Sequence, residues 1–386
     1  MTTPMPQHIA VAMLGARRNY AVPRALAAAG VLEQFFTDLL AMRHPSGLPR
    51  EKTVTFPLFG IARALRRRGL RTRDKVLRDY LRVNRRFCDH ILHHGLGNAD
   101  AIYAFNAAAL ELFEDTSAPR VRILDQITAP WSIEEPLVAA ERARWPDWEA
   151  GSVSESDWRP LADRESREWA LADVIICGST HVAACVEQAG GPAAKCRVVP
   201  YGVGATGLHP TPRQHEGPLR ALFAGSLELR KGIPYLLEAA RALPRGDVIF
   251  RAAGRSRMTS RALAAVSAHV EIRGAVPRSA IATEYAWADV LVLPSISEGS
   301  ANVCYEAMAC GLPVITTAEA GSIVRDGTDG FIIPARSAGD IADRLCQLAS
   351  DRKRLRAMGD SAANRIREFS VEHYGERLLE ALRGDS

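Results

Sequence analysis

The feature that most restricts the fold of this chain is a series of short apolar, β-branched segments separated by stretches with helical spacing. Nine such segments recur: Ile9 to Leu14, Ala101 to Phe105, Val121 to Leu124, Val174 to Cys177, Arg220 to Phe223, Val248 to Ala252, Val290 to Leu293, Val314 to Thr316 and Phe331 to Ile333. Each is typical of a parallel strand that is buried on both faces. Stretches between them, such as Ile233 to Ala242, have the spacing of helices. The alternation predicts a doubly wound α/β protein.

A break in this pattern divides the chain. Gly204 to Pro218 is rich in Gly, Pro, Thr and His and has no apolar periodicity, and a new strand begins at Leu219. With 386 residues, of which 47% are hydrophobic and 24% charged, the chain has room for two or three folded domains. We predict domains at residues 1–204 and 205–370, with residues 371–386 as a C-terminal helix that packs back on the first domain. Two such domains facing each other would form a cleft.

The seven cysteines are scattered and include no Cys-x-x-Cys pair, which argues against a disulfide framework and a thiolate zinc site. This pattern favours a reducing, cytoplasmic setting. The N-terminus lacks the features of a signal peptide, and no apolar run approaches the roughly 18 residues of a spanning helix. We therefore expect any membrane contact to be peripheral, on the inner face of the cytoplasmic membrane.

The densest chemical signal lies between Leu293 and Thr316. A strand ends near Pro294, a loop of small residues follows, and a helix is predicted to begin near Asn302. Free backbone N–H groups at such a helix start suit an anion. Glu298 in the loop and Glu306 in the helix offer carboxylates that can accept from sugar and ribose hydroxyls. A capped helix with one solvated glutamate is an equally good interpretation of this segment alone.

The second signal follows Gly225, where a short loop carries Arg230 and Lys231 before the next helix. Both cations are expected in the same carboxyl-end region as Glu298, where Lys231 could neutralise a diphosphate. A solvated pair of basic residues is the alternative. The chain contains only five lysines, which favours a specific role for Lys231.

Taken together, these two segments resemble the C-terminal domain of the retaining glycosyltransferases of family four, also called glycosyltransferase group 1, which have the GT-B fold. Supporting pieces are Val199 to Val203, Arg273 to Pro277, Ala288 to Ser295 and Arg325 to Pro334. The resemblance extends from about Val174 to Gln347. It implies two Rossmann-like domains, the first binding the acceptor and the second a UDP- or GDP-hexose.

The resemblance also implies roles for individual positions in this sequence. Lys231 would bind the diphosphate, with Arg230 in place of the cation that family members often carry where Ser226 stands. Glu298 would hold the donor sugar, and Glu306 would bind the ribose. Arg255 would line the base pocket. The backbone N–H groups implied to hold the sugar and phosphate belong to Gly299, Ser300, Ala301 and Asn302. Lys231 and Glu298 are therefore the candidate catalytic residues.

The N-terminal half departs from the family pattern. Gly15, which the resemblance implies to be a donor-binding residue, is the single glycine where members tend to have a glycine-rich loop, and it is followed by Arg17 and Arg18. A histidine often follows a middle strand of this domain, whereas here Asn106 and Asp125 stand at the comparable strand ends. We predict that one of these two faces the donor sugar. Capping of the next helix is the alternative.

Other site classes are disfavoured. A dinucleotide fingerprint needs three spaced glycines after the first strand, but the glycine after Gly15 is Gly30. His90, His93 and His94 lack an acidic or cysteine partner at ligand spacing, so no metal site is predicted. The Trp-rich stretch 131–169 suits either packing or acceptor binding, and packing is the favoured interpretation.

A basic segment runs from Arg63 to Arg86, with eleven basic and two acidic residues. A solvated helix surface and contact with an anionic membrane or acceptor are both consistent with it. Nucleic acid is not predicted as a partner, because no recognised module accompanies the charge.

The chain is therefore interpreted as an enzyme that transfers a hexose from a nucleotide-sugar to a glycan or lipid-linked acceptor, with retention, in surface polysaccharide or glycolipid synthesis. The nucleotide-sugar is a substrate, and neither a cofactor nor a metal is expected. Two alternatives stay open: a catalytically silent nucleotide-sugar-binding scaffold, and a GT-B sugar-nucleotide epimerase.

Overall fold

The computed structural model describes residues 5–38, 44–69, 73–118, 120–151, 153–204, 207–211 and 217–384. The chain divides into two compact units. The first comprises the residues up to Ile133, Gly151–Val199 and the residues from Val371 onward; the second comprises Glu134–Ala150 and Pro200–Ser370. The expected boundary between residues 204 and 205 falls at the edge of 205–206, which lie outside the described residues.

The first unit is built on a seven-stranded, wholly parallel sheet with the order β3-β2-β1-β4-β5-β6-β7. Its strands are β1 Ile9–Met13, β2 Leu32–Thr37, β3 Thr53–Thr55, β4 Ala101–Phe105, β5 Val121–Gln126, β6 Val174–Cys177 and β7 Cys196–Val198. Its helices are α1 Ala21–Ala28, α2 Pro57–Gly69, α3 Arg73–His94, α4 Leu110–Glu114, α6 Glu155–Leu171, α7 Thr180–Gln188 and α14 Val371–Arg383. Helix α5, Trp131–Arg144, begins in this unit and continues in the second.

The second unit has a six-stranded parallel sheet with the order β10-β9-β8-β11-β12-β13. Its strands are β8 Leu219–Ala224, β9 Val248–Ala253, β10 Val270–Gly274, β11 Val290–Leu293, β12 Val314–Thr317 and β13 Gly330–Ile333. Its helices are α8 Ile233–Ala242, α9 Ser260–Ser267, α10 Ile281–Trp287, α11 Asn302–Ala309, α12 Ala338–Ser350 and α13 Arg352–Arg365. The predicted α/β class with two parallel sheets is confirmed.

The central strands are the most hydrophobic ones because helices cover both faces of each sheet. Every residue of β1, β4, β11 and β12 is buried. Each large aliphatic side chain buried in this way contributes about 1.5 to 3 kcal/mol to folding. All nine predicted strands are present, and four further ones, β2, β3, β7 and β10, were not predicted.

The order of the strands indicates where a ligand belongs in each unit. In the first sheet the direction of winding reverses between β1 and β4, and in the second between β8 and β11. Loops leave such a switch point on opposite faces of the sheet, which opens a crevice at the carboxyl ends of the two strands. The loops after β8 and β11 are those in which the sequence places Lys231 and Glu298.

Candidate functional site

The loop after β8 is shaped by two glycines. Gly225 ends the strand with φ +135°, and a Cβ at Gly254, which follows β9, would lie 1.7 Å from the carbonyl oxygen of Gly225. A Cβ at Gly225 would in turn lie 3.8 Å from Cε of Lys231. The absence of a side chain at Gly254 therefore lets the turns after β8 and β9 touch, and Lys231 lies within van der Waals distance of Gly225.

Gly232 joins this loop to the one after β11. Its φ is +72°, and a Cβ there would lie only 1.9 Å from the carbonyl oxygen of Pro294. The Ile296 N–H donates to the carbonyl oxygen of Arg230 over 2.8 Å. Backbone contacts thus hold the two loops of the switch point together, and they bring the predicted cations next to the predicted carboxylate.

Glu298 pairs with both cations. Nζ of Lys231 is in direct contact with Oε1 of Glu298, and Nη1 of Arg230 lies 3.4 Å from Oε2. Glu298 as a whole residue is 8% exposed. Burial acts to raise its pKa, but the charges of Arg230 and Lys231 outweigh burial and hold the pKa of Glu298 below its ordinary value. Glu298 is therefore ionised at neutral pH and fixes both cations.

Arg230 has further partners that the sequence did not reveal. Its Nη1 donates to the carbonyl oxygen of Ser297 over 2.9 Å, and its Nη2 donates to Glu228 over 3.0 Å. Oε2 of Glu134 lies 3.7 Å from Nη1 and accepts from the Ser297 hydroxyl over 3.1 Å. Two glutamates distant in sequence from Glu298 thus belong to the same cluster.

Glu134 reaches this cluster because residues 134–150 are fixed to the second unit by polar contacts. Glu141 accepts from the Tyr235 hydroxyl over 2.6 Å and from Nε of Arg336 over 2.5 Å. Glu149 accepts from the Leu229 N–H over 2.6 Å. Sequence reasoning missed this segment because 163 residues separate Glu134 from Ser297, and no local pattern reports such a pairing.

The start of α11 has no side-chain cap; Ser300 and Ala301 before it are buried, whereas Asn302 is exposed. The Ser300 hydroxyl donates to the carbonyl oxygen of Gly321 over 3.0 Å and lies 2.9 Å from the Tyr305 hydroxyl. The Ala301 N–H donates to the carbonyl oxygen of Ala320 over 3.0 Å. Of the N–H groups expected to meet an anion, the Ala301 amide therefore already has an acceptor within the protein.

Glu306 and Arg255 lie elsewhere in the second unit. Glu306, one turn into α11, accepts from the Tyr285 hydroxyl over 2.8 Å. Burial, followed by the charge of Glu306, raises the pKa of Tyr285 well above its ordinary value, so the tyrosine stays a hydrogen-bond donor. Arg255 is exposed in the loop after β9, where its carbonyl oxygen accepts from the Leu227 N–H over 2.9 Å.

In the first unit, Gly15 and Asp125 lie near the switch point of β1 and β4. Gly15 has φ +75° and its N–H donates to Asp38 over 2.8 Å. Asp125, which is fully buried, forms a two-pronged ion pair with Arg18 and accepts from the Tyr103 hydroxyl over 2.6 Å. The carboxylate of Asp125 is thus satisfied within its own unit.

Asn106 is also engaged by protein partners. It follows β4, is 4% exposed, and its amide nitrogen donates to Glu165 over 2.8 Å. The Ile127 N–H approaches its carbonyl oxygen at 3.4 Å. Asn106 and Asp125, the two candidates to replace the histidine, therefore both use their polar groups in contacts within the protein.

Three of the flagged side chains, His90, His94 and Trp169, make contacts within the first unit. His90 stacks on Phe56 with ring centroids 5.4 Å apart, and the ring of His94 meets that of Phe36 at 5.5 Å. Trp169 is 2% exposed, and its indole donates to Gln126 over 3.0 Å. Within the described ranges no three His, Cys, Asp or Glu side chains come together as a metal site would require.

The sequence comparisons extend this picture. The family model described as "Glycosyl transferases group 1" matches residues 218–351. A D-inositol 3-phosphate glycosyltransferase of Nocardia farcinica is 30% identical over 258 residues, 60% of this chain and 57% of the relative. Another of Kribbella flavida is 36% identical over 110 residues, 28% of this chain and 26% of the relative. The chain thus spans about a quarter to somewhat over half the length of these curated relatives.

Solved structures match over nearly the whole chain. Sucrose-phosphate synthase from Thermosynechococcus elongatus is 19% identical with a TM-score of 0.72, covering 98% of each chain. HepE of Anabaena, solved with UDP and glucose, is 17% identical with a TM-score of 0.66, covering 98% of this chain and 99% of that one. At such low identity the similarity shows the fold alone, and it confirms the GT-B class.

Proposed function

We propose that this chain transfers a hexose from a nucleotide-sugar to an acceptor hydroxyl with retention of configuration. The match of residues 218–351 to the group 1 glycosyltransferase family supports this proposal. The observation that carries the proposal is the contact of Lys231 and Arg230 with the buried carboxylate of Glu298 at the switch point of the second sheet. In parallel α/β sheets this is where a phosphate-bearing ligand binds.

Each member of the cluster has a chemical role in this proposal. Lys231 and Arg230 neutralise the diphosphate, which leaves with the developing negative charge. Glu298 holds both cations in place and accepts from the hydroxyls of the donor sugar. Charge stabilisation by these side chains needs no metal ion. Glu306, fixed by Tyr285, accepts from the ribose, and Arg255 lies beside the base.

The donor in this proposal is a UDP- or GDP-hexose. HepE was solved with UDP and UDP-glucose, which supports testing uridine nucleotides first. The first experiment is a thermal-stability screen with UDP-, GDP- and ADP-sugars, because a ligand that binds only the folded protein raises its melting temperature. No stabilisation by any of them would contradict the proposal.

Replacing Lys231 tests the chemistry. Lys231→Ala removes a cation that meets the leaving diphosphate, and loss of one such group lowers turnover about 100- to 1000-fold. The measurement is release of nucleoside diphosphate from the donor identified in the screen. Lys353→Ala is the matched control, since Lys353 is exposed on α13. A Lys231→Ala protein with an unchanged melting temperature and undiminished release would rule out this role.

The acceptor in this proposal is a glycan or a lipid-linked glycan of surface polysaccharide or glycolipid synthesis. We propose that α2 brings the first unit to an anionic membrane. Leu58, Ile61 and Leu65 are 83%, 50% and 59% exposed, and their spacing places them on one face of α2. This apolar face begins before the Arg63–Arg86 segment and overlaps its start at Leu65; residues 70–72 of the segment lie outside the described residues. No described helix is both long and apolar enough to cross a membrane.

A second function, that of a catalytically silent nucleotide-sugar-binding scaffold, is favoured by one observation. Asn106 and Asp125, which stand where the sequence suggested a replacement for the histidine, both bind partners within the first unit. Incubation with the nucleotide-sugar alone separates the functions. Slow release of nucleoside diphosphate supports the transferase, tight binding without turnover supports the scaffold, and an isomerised sugar would indicate an epimerase.

A further inference from the structure

The cluster around Arg230 contains as many carboxylates as cations. Three glutamates lie within 4 Å of its guanidinium: Glu228 at 3.0 Å, Glu298 at 3.4 Å and Glu134 at 3.7 Å. Lys231 pairs with Glu298, and Arg257 lies 3.2 Å from Glu228. With every group ionised the charges cancel, and no positive charge is left over for a diphosphate.

A nucleotide-sugar that binds here brings about two negative charges, because its diphosphate diester is fully ionised at neutral pH. The cluster with its ligand would then carry an excess of negative charge in a partly buried site. Uptake of one proton by a nearby carboxylate relieves this excess at the least cost, because a buried unpaired charge is otherwise strongly unfavourable.

The three glutamates are not equally suited to take up that proton. Glu298 contacts two cations, and Glu228 lies near both Arg230 and Arg257. Among the described residues, the one cation paired with Glu134 is Arg230, at the longest of the three distances, and the Ser297 hydroxyl also donates to Glu134.

The groups that face Glu134 come from α5 and from the loops after β8 and β11. They are Arg230, Glu298, Ser297 and the neighbouring Glu135. Burial has the largest effect and raises the pKa of Glu134. The charge of Arg230 lowers this pKa, and the negative charge of Glu298 raises it, so that the pKa stays above its ordinary value. The surroundings of Glu134 therefore shift its protonation equilibrium toward the neutral form.

We propose that Glu134 is a proton-linked counter-ion for the donor site: ionised it holds Arg230 in the empty protein, and it is protonated from solvent when the diphosphate binds. In this step the Glu134–Arg230 ion pair breaks, an O–H bond forms on the carboxylate, and the guanidinium turns to the phosphate oxygens. Glu134 acts as a positioning residue. The inference rests on the proposed function, because it takes Arg230 to be a ligand of the donor.

The sign of the pH dependence follows from linkage. Because the complex holds one proton more than the free protein, the affinity for the nucleotide-sugar falls as the pH rises. The fall reaches about tenfold per pH unit between the pKa of Glu134 in the free protein and its higher pKa in the complex. Below both values the affinity is constant.

Titration calorimetry measures this directly. UDP-glucose, GDP-mannose and ADP-glucose are titrated into the full chain between about pH 6 and about pH 8, each in two buffers of different ionisation enthalpy. Nucleotide-sugars serve as probes because their diphosphate diester has no proton to exchange in this range. The wild-type protein is expected to take up a fraction of a proton, and at most about one, on binding.

Two variants separate proton linkage from a structural role. Glu134→Gln, which is neutral at every pH, is expected to bind without proton uptake and about tenfold more tightly than wild type at the upper end of the range. Glu228→Gln removes a different carboxylate from the same arginine, so its proton uptake is expected to persist. Circular dichroism and the melting temperature check that both variants fold.

The outcomes are distinct for the two proposals. Binding by the wild-type protein without proton uptake, or unchanged uptake in Glu134→Gln, overturns the assignment of Glu134 and leaves the transferase proposal standing. Binding of none of the three nucleotide-sugars overturns both.

Discussion

At the scale of single residues, the site depends on positions without a side chain as much as on charged ones. The turns after β8 and β9 touch because Gly254 has no Cβ to collide with Gly225, and the loops after β8 and β11 touch because Gly232 has no Cβ to collide with Pro294. Charged residues in a motif are easy to identify in a sequence. The close backbone contacts that set the distances between those charged residues cannot be identified in the same way.

Gly232→Ala is therefore expected to disturb both stability and donor binding. Its new methyl group would lie 1.9 Å from the carbonyl oxygen of Pro294 at a φ of +72°, so the loss in the free energy of unfolding should exceed about 2 kcal/mol. Urea unfolding and the nucleotide-sugar thermal shift measure the two effects.

Gly246→Ala is the matched control for that substitution. Gly246 also has a positive φ, +98°, but nothing lies within 4 Å of a Cβ there. It should cost about 1 kcal/mol, from backbone strain alone, and leave donor binding unchanged. Equal losses from the two alanines would show that the contact with Pro294 is unimportant.

At the scale of elements, strands with a mostly apolar run were predictable, and three of the four missed strands lie at a sheet edge. Strands β1, β4 and β11 are continuous apolar runs because both faces are buried. The strands that were missed include the edge strands β3, β7 and β10, which are short or only partly buried. The fourth, β2, has the half-buried Glu33 and Gln34 directly after its first residue, Leu32. These two polar residues interrupt the apolar run by which the other buried strands were recognised.

The same reasoning applies to the cluster around Arg230. Arg230, Lys231 and Glu298 were predictable because each follows a strand that the pattern identified, and parallel strands bring their carboxyl ends to one edge. Glu134 was not, because a helix from another part of the chain delivers it. The spacing of apolar residues indicates which segments form strands and helices. It does not indicate that residues 134–150 belong to the second unit.

Helix α2 is the element that the membrane proposal depends on. Replacing Leu58, Ile61 and Leu65 together by serine removes an apolar face worth about 1 to 2 kcal/mol per side chain on insertion. Binding to vesicles of phosphatidylserine and phosphatidylcholine, measured by co-sedimentation, should then fall at least about 100-fold. Wild-type binding should weaken as salt is added and on pure phosphatidylcholine.

The control for this triple substitution is the pair Ala62→Ser and Ala64→Ser, which alters exposed positions of α2 with little loss of apolar area. It is expected to bind vesicles like the wild-type protein. A wild-type protein that ignores anionic vesicles, or a triple variant that binds them undiminished, would leave the segment as a solvated helix surface.

At the scale of the whole molecule, two buried glutamates of the first unit link its stability to pH. Glu165 and Glu168 are fully buried on α6. Glu165 accepts from Asn106, Gln126 and the Trp131 N–H, and Glu168 accepts from the N–H groups at the start of α4. Two carboxyl groups thus fix the loops after β4 and β5, so global stability is linked to their protonation.

This linkage predicts a specific pH dependence of stability. Burial raises the pKa of Glu165 to about 7, outweighing the hydrogen bonds that favour its ionised form. The folded protein therefore holds a proton that the unfolded chain, with a pKa near 4.5, has lost. As the pH rises from about 4.5 to about 7, this group removes up to about 3 kcal/mol from the free energy of unfolding.

Comparison with Glu165→Gln isolates this group. The variant cannot titrate, so its free energy of unfolding, measured by urea denaturation at several pH values, should decline less than that of the wild-type protein over the same interval. Parallel curves for the two proteins would mean that Glu165 has an ordinary pKa in the folded state.

The division of the chain constrains how its two halves can be separated by genetics. The second unit takes residues 134–150 from the middle of the first. A gene cut once near codon 200 therefore encodes a C-terminal fragment that lacks Glu141 and Glu149, the partners of Tyr235 and Leu229, and also lacks Glu134, one of the three carboxylates beside Arg230. Exchange of nucleotide-sugar specificity between related genes by a single recombination there would pair a donor loop from one parent with a Glu134 from the other. In such a chimera one parental gene would supply the loops that bind the donor, and the other would supply Glu134, on which the proposed proton uptake depends.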